Sequence, residues 1–138
     1  MEDCIFCKII AGQIPSFKVF EDEDTLAFLD IKPATKGHTL VIPKQHFENV
    51  FDISDMALQK VSVVAKKLSV KIKDALRADG IRLSQSNGTV AGQDIMHFHL
   101  HIIPRYENDG LGVHPAATLQ MPQADFEELK KIAEKIKL

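Results

Sequence analysis

The stretch Met96-His97-Phe98-His99-Leu100-His101-Ile102-Ile103-Pro104 alternates histidines with apolar residues. A period of two is that of a β-strand, on which successive side chains point to opposite faces. The alternation predicts a strand whose apolar residues from Met96 to Ile102 face a core, while the three imidazoles share the other face, about 6–7 Å apart. Three of the six histidines of the chain lie within these five residues. That density indicates a functional site rather than a half-exposed structural strand.

The segments on either side of this stretch predict an α+β domain. Apolar residues recur with helical or strand periods, and turn residues separate the segments. Because short turns connect most of the strands, we expect an antiparallel sheet of about five strands with helices packed on it. Ser54 is expected to cap the long helix, and Gly80 to end it. The predicted order is helix, three strands, helix, two strands and helix, over residues 4–14, 17–21, 25–29, 38–42, 54–78, 81–85, 96–102 and 123–137.

Composition narrows the class of protein. The chain has 138 residues, of which 45% are apolar and 26% charged, as expected for one globular domain over residues 1–138. The net charge of −2 argues against a general nucleic-acid surface, which needs a basic stripe. We expect no membrane span, because no apolar run approaches about 20 residues. The acidic start lacks the basic residues of a signal peptide, so a cytoplasmic protein is expected.

Clustered imidazoles suit two kinds of chemistry, metal binding and nucleophilic transfer of phosphoryl or nucleotidyl groups. Gly92 and Gln93 directly precede the histidine stretch. A glycine lets the backbone approach an anion, so this pair is expected to offer backbone N–H groups, with the Gln93 amide as a further donor. A neutral imidazole already presents a lone pair near neutral pH. The surroundings therefore favour attack of a histidine on phosphorus.

The chain resembles the histidine triad (HIT) family, in its Hint-like bacterial branch. The family motif is His-φ-His-φ-His-φ-φ, where φ is apolar, and residues 97–103 match every position. The resemblance covers about residues 4–106, which would form the core of a HIT domain, with residues 107–138 as a C-terminal loop and helix. Further matching segments lie at residues 5–10, 14–15, 26–31, 38–44 and 92–93.

The resemblance implies a HIT-like fold and a nucleotide-binding hydrolase, most simply a purine nucleoside phosphoramidase that works through a covalent nucleotidyl-histidine. Two alternatives stay open: a hydrolase of dinucleoside polyphosphates, and a nucleotide-binding regulatory protein with little turnover. The family resemblance also implies a homodimer with a purine nucleotide as substrate and no organic cofactor.

The resemblance also implies roles for individual residues. His99 would attack the α-phosphorus, His101 would hydrogen-bond the phosphate and His38 would support proton movement. Asp30 would hold the ribose hydroxyls. The remaining implied substrate contacts are the base-pocket residues Phe6, Ile14, Phe28, Leu29 and Leu40, and the ribose or phosphate contacts Asn87 and Gln93. Asp94 is a departure, because Hint-type members usually carry a small hydroxyl residue there; its carboxylate adds negative charge near a phosphate.

The two cysteines of the chain, Cys4 and Cys7, form a C-x-x-C motif. In a chain without a secretory signal this spacing is typical of half a metal site or of a redox pair. A redox pair is disfavoured, since no thioredoxin-like βαβ pattern surrounds the motif. The family resemblance implies structural zinc, with His46 and His97 as the other two ligands. A Cys2His2 set leaves no coordination position open.

Overall fold

A computed structural model of the chain describes residues 3–113 and 122–138. It confirms the α+β class: five strands form one antiparallel sheet in the order β1-β2-β3-β5-β4. The elements in chain order are α1 Ile5–Ile10, β1 Lys18–Glu21, β2 Thr25–Leu29, β3 Thr39–Pro43, α2 Asp55–Leu76, β4 Gly80–Ser84, β5 Leu100–Arg105 and α3 Phe126–Ile136, with a 3-10 turn at Thr89–Ala91 between β4 and β5.

The long helix α2 begins as predicted but ends earlier. The Ser54 hydroxyl accepts a hydrogen bond from the Ala57 amide at 3.1 Å, which satisfies one of the free N–H groups of the first turn. The helix ends at Leu76, because Arg77 takes up the left-handed conformation with φ of 55°. The prediction that Gly80 ends α2 is therefore wrong, and Gly80 is instead the first residue of β4.

The sheet buries side chains on both faces, and β2 shows how. Its residues alternate between two apolar clusters, as the strand period requires. Ala27 and Leu29 belong to the larger cluster, with residues of α2 and α3. Leu26 and Phe28 belong to the smaller one, which α1 covers. The smaller cluster contains Phe6, Ile9, Leu26, Phe28, Leu40 and Ile42.

The histidine stretch is only partly a strand. β5 begins at Leu100, so His101 lies in the sheet whereas His97 and His99 precede it. Phe98 and Ile102 are buried as predicted, but Met96 is 38% exposed and faces no core. The ladder with β3 ends at the pair Val41 and Leu100. Before that pair the chain bends away from the sheet, and the Phe98 amide donates to the Phe47 carbonyl instead.

The described residues leave out positions 114–121 of the predicted C-terminal loop. They also leave out Met1 and Glu2, at the start of the predicted domain. Within residues 3–113 and 122–138, no helix combines the length and the apolar character needed to cross a membrane.

Candidate active site and metal site

His99 lies at the centre of the site with a defined free nitrogen. Its Nδ1 is 2.7 Å from the carbonyl oxygen of His97. Because a carbonyl oxygen only accepts, Nδ1 carries the proton and donates it. In the neutral imidazole the lone pair then lies on Nε2. The ring is 6% exposed and meets the edge of Phe6, with ring centroids 5.2 Å apart. The backbone thus sets the nitrogen with which His99 could attack.

A second chain of hydrogen bonds fixes His38 and His101. The Ala34 amide donates to Nδ1 of His38 at 2.9 Å, which leaves the proton of a neutral His38 on Nε2. That Nε2 lies 3.0 Å from Nδ1 of His101 and donates to it. Nε2 of His101 therefore carries a proton. Since the ring centroids of His99 and His101 are 4.9 Å apart, this N–H adjoins His99.

The imidazole of His38 is buried and that of His101 is half-buried, and this loss of solvent decides their charge. Desolvation lowers the pKa of His38 to about 4, with a smaller effect from the nearby His99. Burial likewise lowers the pKa of His101 to about 4. The two rings are therefore neutral at neutral pH. This is the state that the hydrogen-bond chain from Ala34 requires, because each ring then has one donor and one acceptor nitrogen.

We expect the hydrogen-bonded pair of His38 and His101 to lower the free energy of unfolding in mild acid. The folded-state pKa of His38 lies near 4 against 6.5 for a free imidazole, so between these values the unfolded chain binds more protons. The free energy of unfolding therefore falls as the pH drops from 6.5 towards 4 and is unaffected above 6.5 by this group. A His38→Gln variant should show a weaker pH dependence of melting temperature over that window. An unchanged dependence would contradict the assignment.

Asp30 directly follows β2, beside the start of β3. Its amide donates to the His38 carbonyl at 2.9 Å. One carboxylate oxygen accepts from the Lys32 amide at 2.9 Å, and the other lies 3.8 Å from Nε2 of His38. Burial raises the pKa of this carboxyl. The second oxygen has acceptor capacity left for hydroxyl groups of a ligand.

The predicted base-pocket residues fall into two groups. Phe6, Phe28 and Leu40 share the smaller cluster, Ile14 packs against it, and the rings of Phe6 and Phe28 meet edge to face at 5.4 Å. Leu29 differs, because its side chain lies in the larger cluster on the opposite face of the sheet. Only the backbone of Leu29 is available to the side that carries Phe6.

Asn87 and Gln93 are engaged within the protein. Gln93 is 3% exposed; its amide nitrogen donates to the carbonyls of Glu48 and Ile95, and its oxygen accepts from the Gly88 amide. The Asn87 oxygen accepts from the Val50 amide at 2.7 Å. These bonds tie the loop before the histidines to the segment after β3.

The expectation that Gly92 and Gln93 offer free backbone N–H groups is wrong. The Gly92 amide donates to the Thr89 carbonyl at 3.0 Å, and the Gln93 amide donates to the Gly88 carbonyl at 3.1 Å. A glycine allows the left-handed φ of 98° that closes this tight turn. The glycine here therefore serves the turn rather than an anion.

Asp94 follows this turn and reaches His99. One carboxylate oxygen lies 3.5 Å from Nε2 of His99, while 77% of the Asp94 side chain stays exposed. The residue that departs from the family pattern therefore lies at the atom where the chemistry would occur.

The four predicted metal ligands meet at one point. The ligand atoms of Cys4, Cys7, His46 and His97 all lie within 4.8 Å of one another. Nδ1 of His97 is 3.3 Å from the Cys4 sulfur and 3.1 Å from Nδ1 of His46, and the Cys7 sulfur is 3.3 Å from that same nitrogen of His46. The cluster joins the start of α1 to the segment after β3 and to the histidine stretch.

The donor set fits a tetrahedral zinc ion. Thiolate and imidazole ligands at about 2.0–2.3 Å from a shared ion lie roughly 3.3–3.8 Å apart, close to the separations found. Nε2 of His97 lies 2.9 Å from the Pro43 carbonyl and donates to it, so the lone pair on Nδ1 points to the cluster. Burial, followed by the neighbouring Cys4, raises the pKa of the Cys7 thiol to about 11. A bound cation would favour the thiolate.

Sequence reasoning missed three backbone groups on which this geometry depends. They are the carbonyls of His97 and Pro43 and the amide of Ala34, which fix the protonated nitrogens of His99, His97 and His38. Backbone groups are common to every residue, so no sequence signal marks them.

Comparisons with known proteins identify the family of the chain. The family model described as "HIT domain" matches residues 11–108. The chain is 53% identical over 112 residues to "Protein hit" of Bacillus subtilis, covering 80% of this chain and 77% of that protein. It is 42% identical to the "Adenosine 5'-monophosphoramidase HNT1" of Candida albicans, covering 97% and 89%. A "ZN-bound histidine triad family protein" from Mycobacterium smegmatis superposes with a TM-score of 0.85 at 31% identity, covering 99% and 91%. The chain belongs to the HIT domain family.

Proposed function

We propose that this protein hydrolyses purine nucleoside 5′-phosphoramidates through a covalent nucleotidyl-His99 intermediate. The observation that carries the proposal is the hydrogen bond of 2.7 Å from Nδ1 of His99 to the His97 carbonyl. It leaves an unprotonated Nε2 in a buried site, which is what a histidine nucleophile needs. The Candida albicans relative, named an adenosine 5′-monophosphoramidase, supports the substrate class.

The reaction has two steps. In the first, the Nε2 lone pair of His99 forms a bond to the α-phosphorus as the P–N bond breaks, and the leaving amine takes a proton from water. In the second, the hydroxide left by that water attacks the same phosphorus, the bond to Nε2 breaks, and nucleoside monophosphate and neutral His99 are released. The Nε2–H of His101 donates to a phosphate oxygen, where negative charge grows in each transition state. His38 keeps His101 in the donor form.

The rest of the site holds the nucleoside. We propose that Asp30 accepts the ribose hydroxyls with its second carboxylate oxygen, and that Phe6, Ile14, Phe28 and Leu40 contact the base. These apolar side chains are already packed in one cluster on the His99 side of the sheet. Gln93 and Asn87 would act by holding the loop before His97, since their amides bond to Glu48, Val50 and Gly88.

We propose zinc as a structural ion held by Cys4, Cys7, His46 and His97. With four protein ligands and no open position, zinc would supply cross-linking rather than catalysis. His97 would serve both sites, because its side chain faces the cysteines while its carbonyl accepts from His99. Phe6 lies between the two cysteines in sequence and contacts the His99 ring. The metal site would therefore hold the wall and the backbone acceptor of the active site.

A side-by-side assay distinguishes the proposed activity from the two alternatives. We expect adenosine 5′-phosphoramidate to be hydrolysed with a kcat/KM at least about tenfold above that of diadenosine polyphosphates, since Asp30 and Asp94 place negative charge near the phosphate. The reverse preference would identify a dinucleoside polyphosphate hydrolase. Tight binding of adenosine monophosphate with neither substrate hydrolysed would identify a regulatory nucleotide-binding protein.

We also propose a homodimer. Strand β4 is at the edge of the sheet, and its Leu83 is 50% exposed. An unpaired edge strand with an apolar side chain is suited to pairing with another copy. Light scattering during size-exclusion chromatography should give twice the mass of the chain, and Leu83→Lys should shift that mass towards the monomer. A monomeric wild type at micromolar concentration would contradict the proposal.

A further inference from the structure

The carboxylate of Asp94 lies beside the proposed nucleophile. Its carboxylate oxygen is 3.5 Å from Nε2 of His99. No lysine or arginine of residues 3–113 and 122–138 forms an ion pair with Asp94, and 77% of its side chain is exposed. A carboxylate in this position faces solvent and the incoming substrate together. Its negative charge is available to a group that the substrate brings.

Two carboxylates lie near the proposed nucleophile. Asp94 is 3.5 Å from Nε2 of His99, and Asp30 is 3.8 Å from Nε2 of His38. Among the described residues, neither carboxylate forms an ion pair with a lysine or an arginine. A phosphate that binds here therefore lies near two carboxylates. The imidazoles that donate hydrogen bonds to it do not carry a full positive charge. Sites that hold polyphosphates usually supply lysine or arginine for that purpose.

We propose that Asp94 is a specificity-determining residue that favours phosphoramidates whose leaving amine carries a second, positively charged ammonium. The inference rests on the proposed function and deepens it by naming a substrate class. The carboxylate repels the phosphate oxygens of every substrate, and an ammonium on the leaving group offsets that repulsion by pairing with Asp94. A neutral leaving amine of the same size offers no such pairing, and a polyphosphate leaving group adds to the repulsion.

Two synthetic substrates test this preference with little change in shape. One is adenosine 5′-(N-2-aminoethyl)phosphoramidate, which carries an ammonium at neutral pH. The other is adenosine 5′-(N-propyl)phosphoramidate, in which a methyl group replaces it. Each is assayed with the wild type, with Asp94→Asn, which removes the charge at nearly constant shape, and with Asp94→Glu, which keeps it.

We expect the wild type to prefer the aminoethyl compound by its kcat/KM. Asp94→Asn should reduce the aminoethyl-to-propyl ratio about three- to tenfold, the range for one partly solvated charge pair. It should also raise the kcat/KM of the propyl compound about twofold or more, because the repulsion is removed. Asp94→Glu should keep most of the preference, and added salt should weaken it in the wild type.

If the aminoethyl-to-propyl ratio of kcat/KM is the same in wild type and Asp94→Asn, the inference is overturned even if both compounds are hydrolysed. If neither is hydrolysed by the wild type, the proposed function fails separately. Calorimetric titration of both compounds then still tests the inference. If Asp94 recognises the ammonium, Asp94→Asn must lose affinity for the aminoethyl compound relative to the propyl compound. Identical binding ratios in the two proteins would overturn the inference there as well.

Discussion

Replacement of His99 by alanine is expected to abolish phosphoramidate hydrolysis while nucleotide binding persists. The variant removes the only nitrogen that forms a covalent bond in the proposed reaction, so kcat should fall by at least about 10³-fold. Binding should persist because Asp30 and the apolar wall around Phe28 remain. Initial rates with adenosine 5′-phosphoramidate measure the first effect, and calorimetry with adenosine monophosphate measures the second.

Two controls make this test specific. The melting temperature of His99→Ala should stay close to that of the wild type, which excludes unfolding as the cause. Lys67→Ala changes an exposed residue of α2 and should keep full activity. Hydrolysis by His99→Ala at a rate near that of the wild type would reject His99 as the nucleophile.

Removal of metal is expected to destabilise the fold and weaken nucleotide binding together. Loss of zinc would free Cys4 and Cys7 from His46 and His97, and Phe6 would no longer be held against His99. We expect the melting temperature to fall by more than about 5 °C. A loss of this size is expected when a protein loses a ligand whose dissociation constant lies well below the ligand concentration. The effect should shrink as the pH falls, because protonation of the ligand thiols and imidazoles weakens metal binding.

Metal content identifies the ligands. Protein purified without chelator, under conditions where zinc is available, should contain one zinc ion per chain. Elemental mass spectrometry measures this content. The double variant Cys4→Ser/Cys7→Ser should contain little, and exposed Lys67→Ala should match the wild type. A wild-type content well below equimolar would reject the site, and equal zinc in the double variant would reject these ligands.

Local signals in the sequence were sufficient for most of the fold. Strand β2 has the predicted bounds Thr25–Leu29, and Ser54 caps α2 as expected. Periodicity alone could not place the start of β5, because alternation marks the faces of a strand but not the residue at which its ladder begins. The ladder stops at Leu100, and the chain before it bends so that His97 reaches the cysteines.

Sequence reasoning named side chains that the fold brings together, but it did not predict their contacts. His38, His99 and His101 meet, and the four candidate metal ligands form a separate cluster. The protonated nitrogens depend on backbone groups, which no residue pattern identifies. The sequence also could not predict that the Gly92 amide donates to a carbonyl within its own turn. A glycine before a site is compatible with both a tight turn and an anion-binding nest.

Detection of the nucleotidyl-protein adduct is the most direct test of the proposed mechanism. The wild type is mixed with excess adenosine 5′-phosphoramidate and quenched within milliseconds in alkali, where a bond from phosphorus to imidazole survives better than in acid. Intact mass and peptide mapping should show one adenylyl group on His99, formed at least as fast as the steady-state turnover. Turnover without any adduct, or an adduct on another residue, would contradict the nucleotidyl-His99 mechanism.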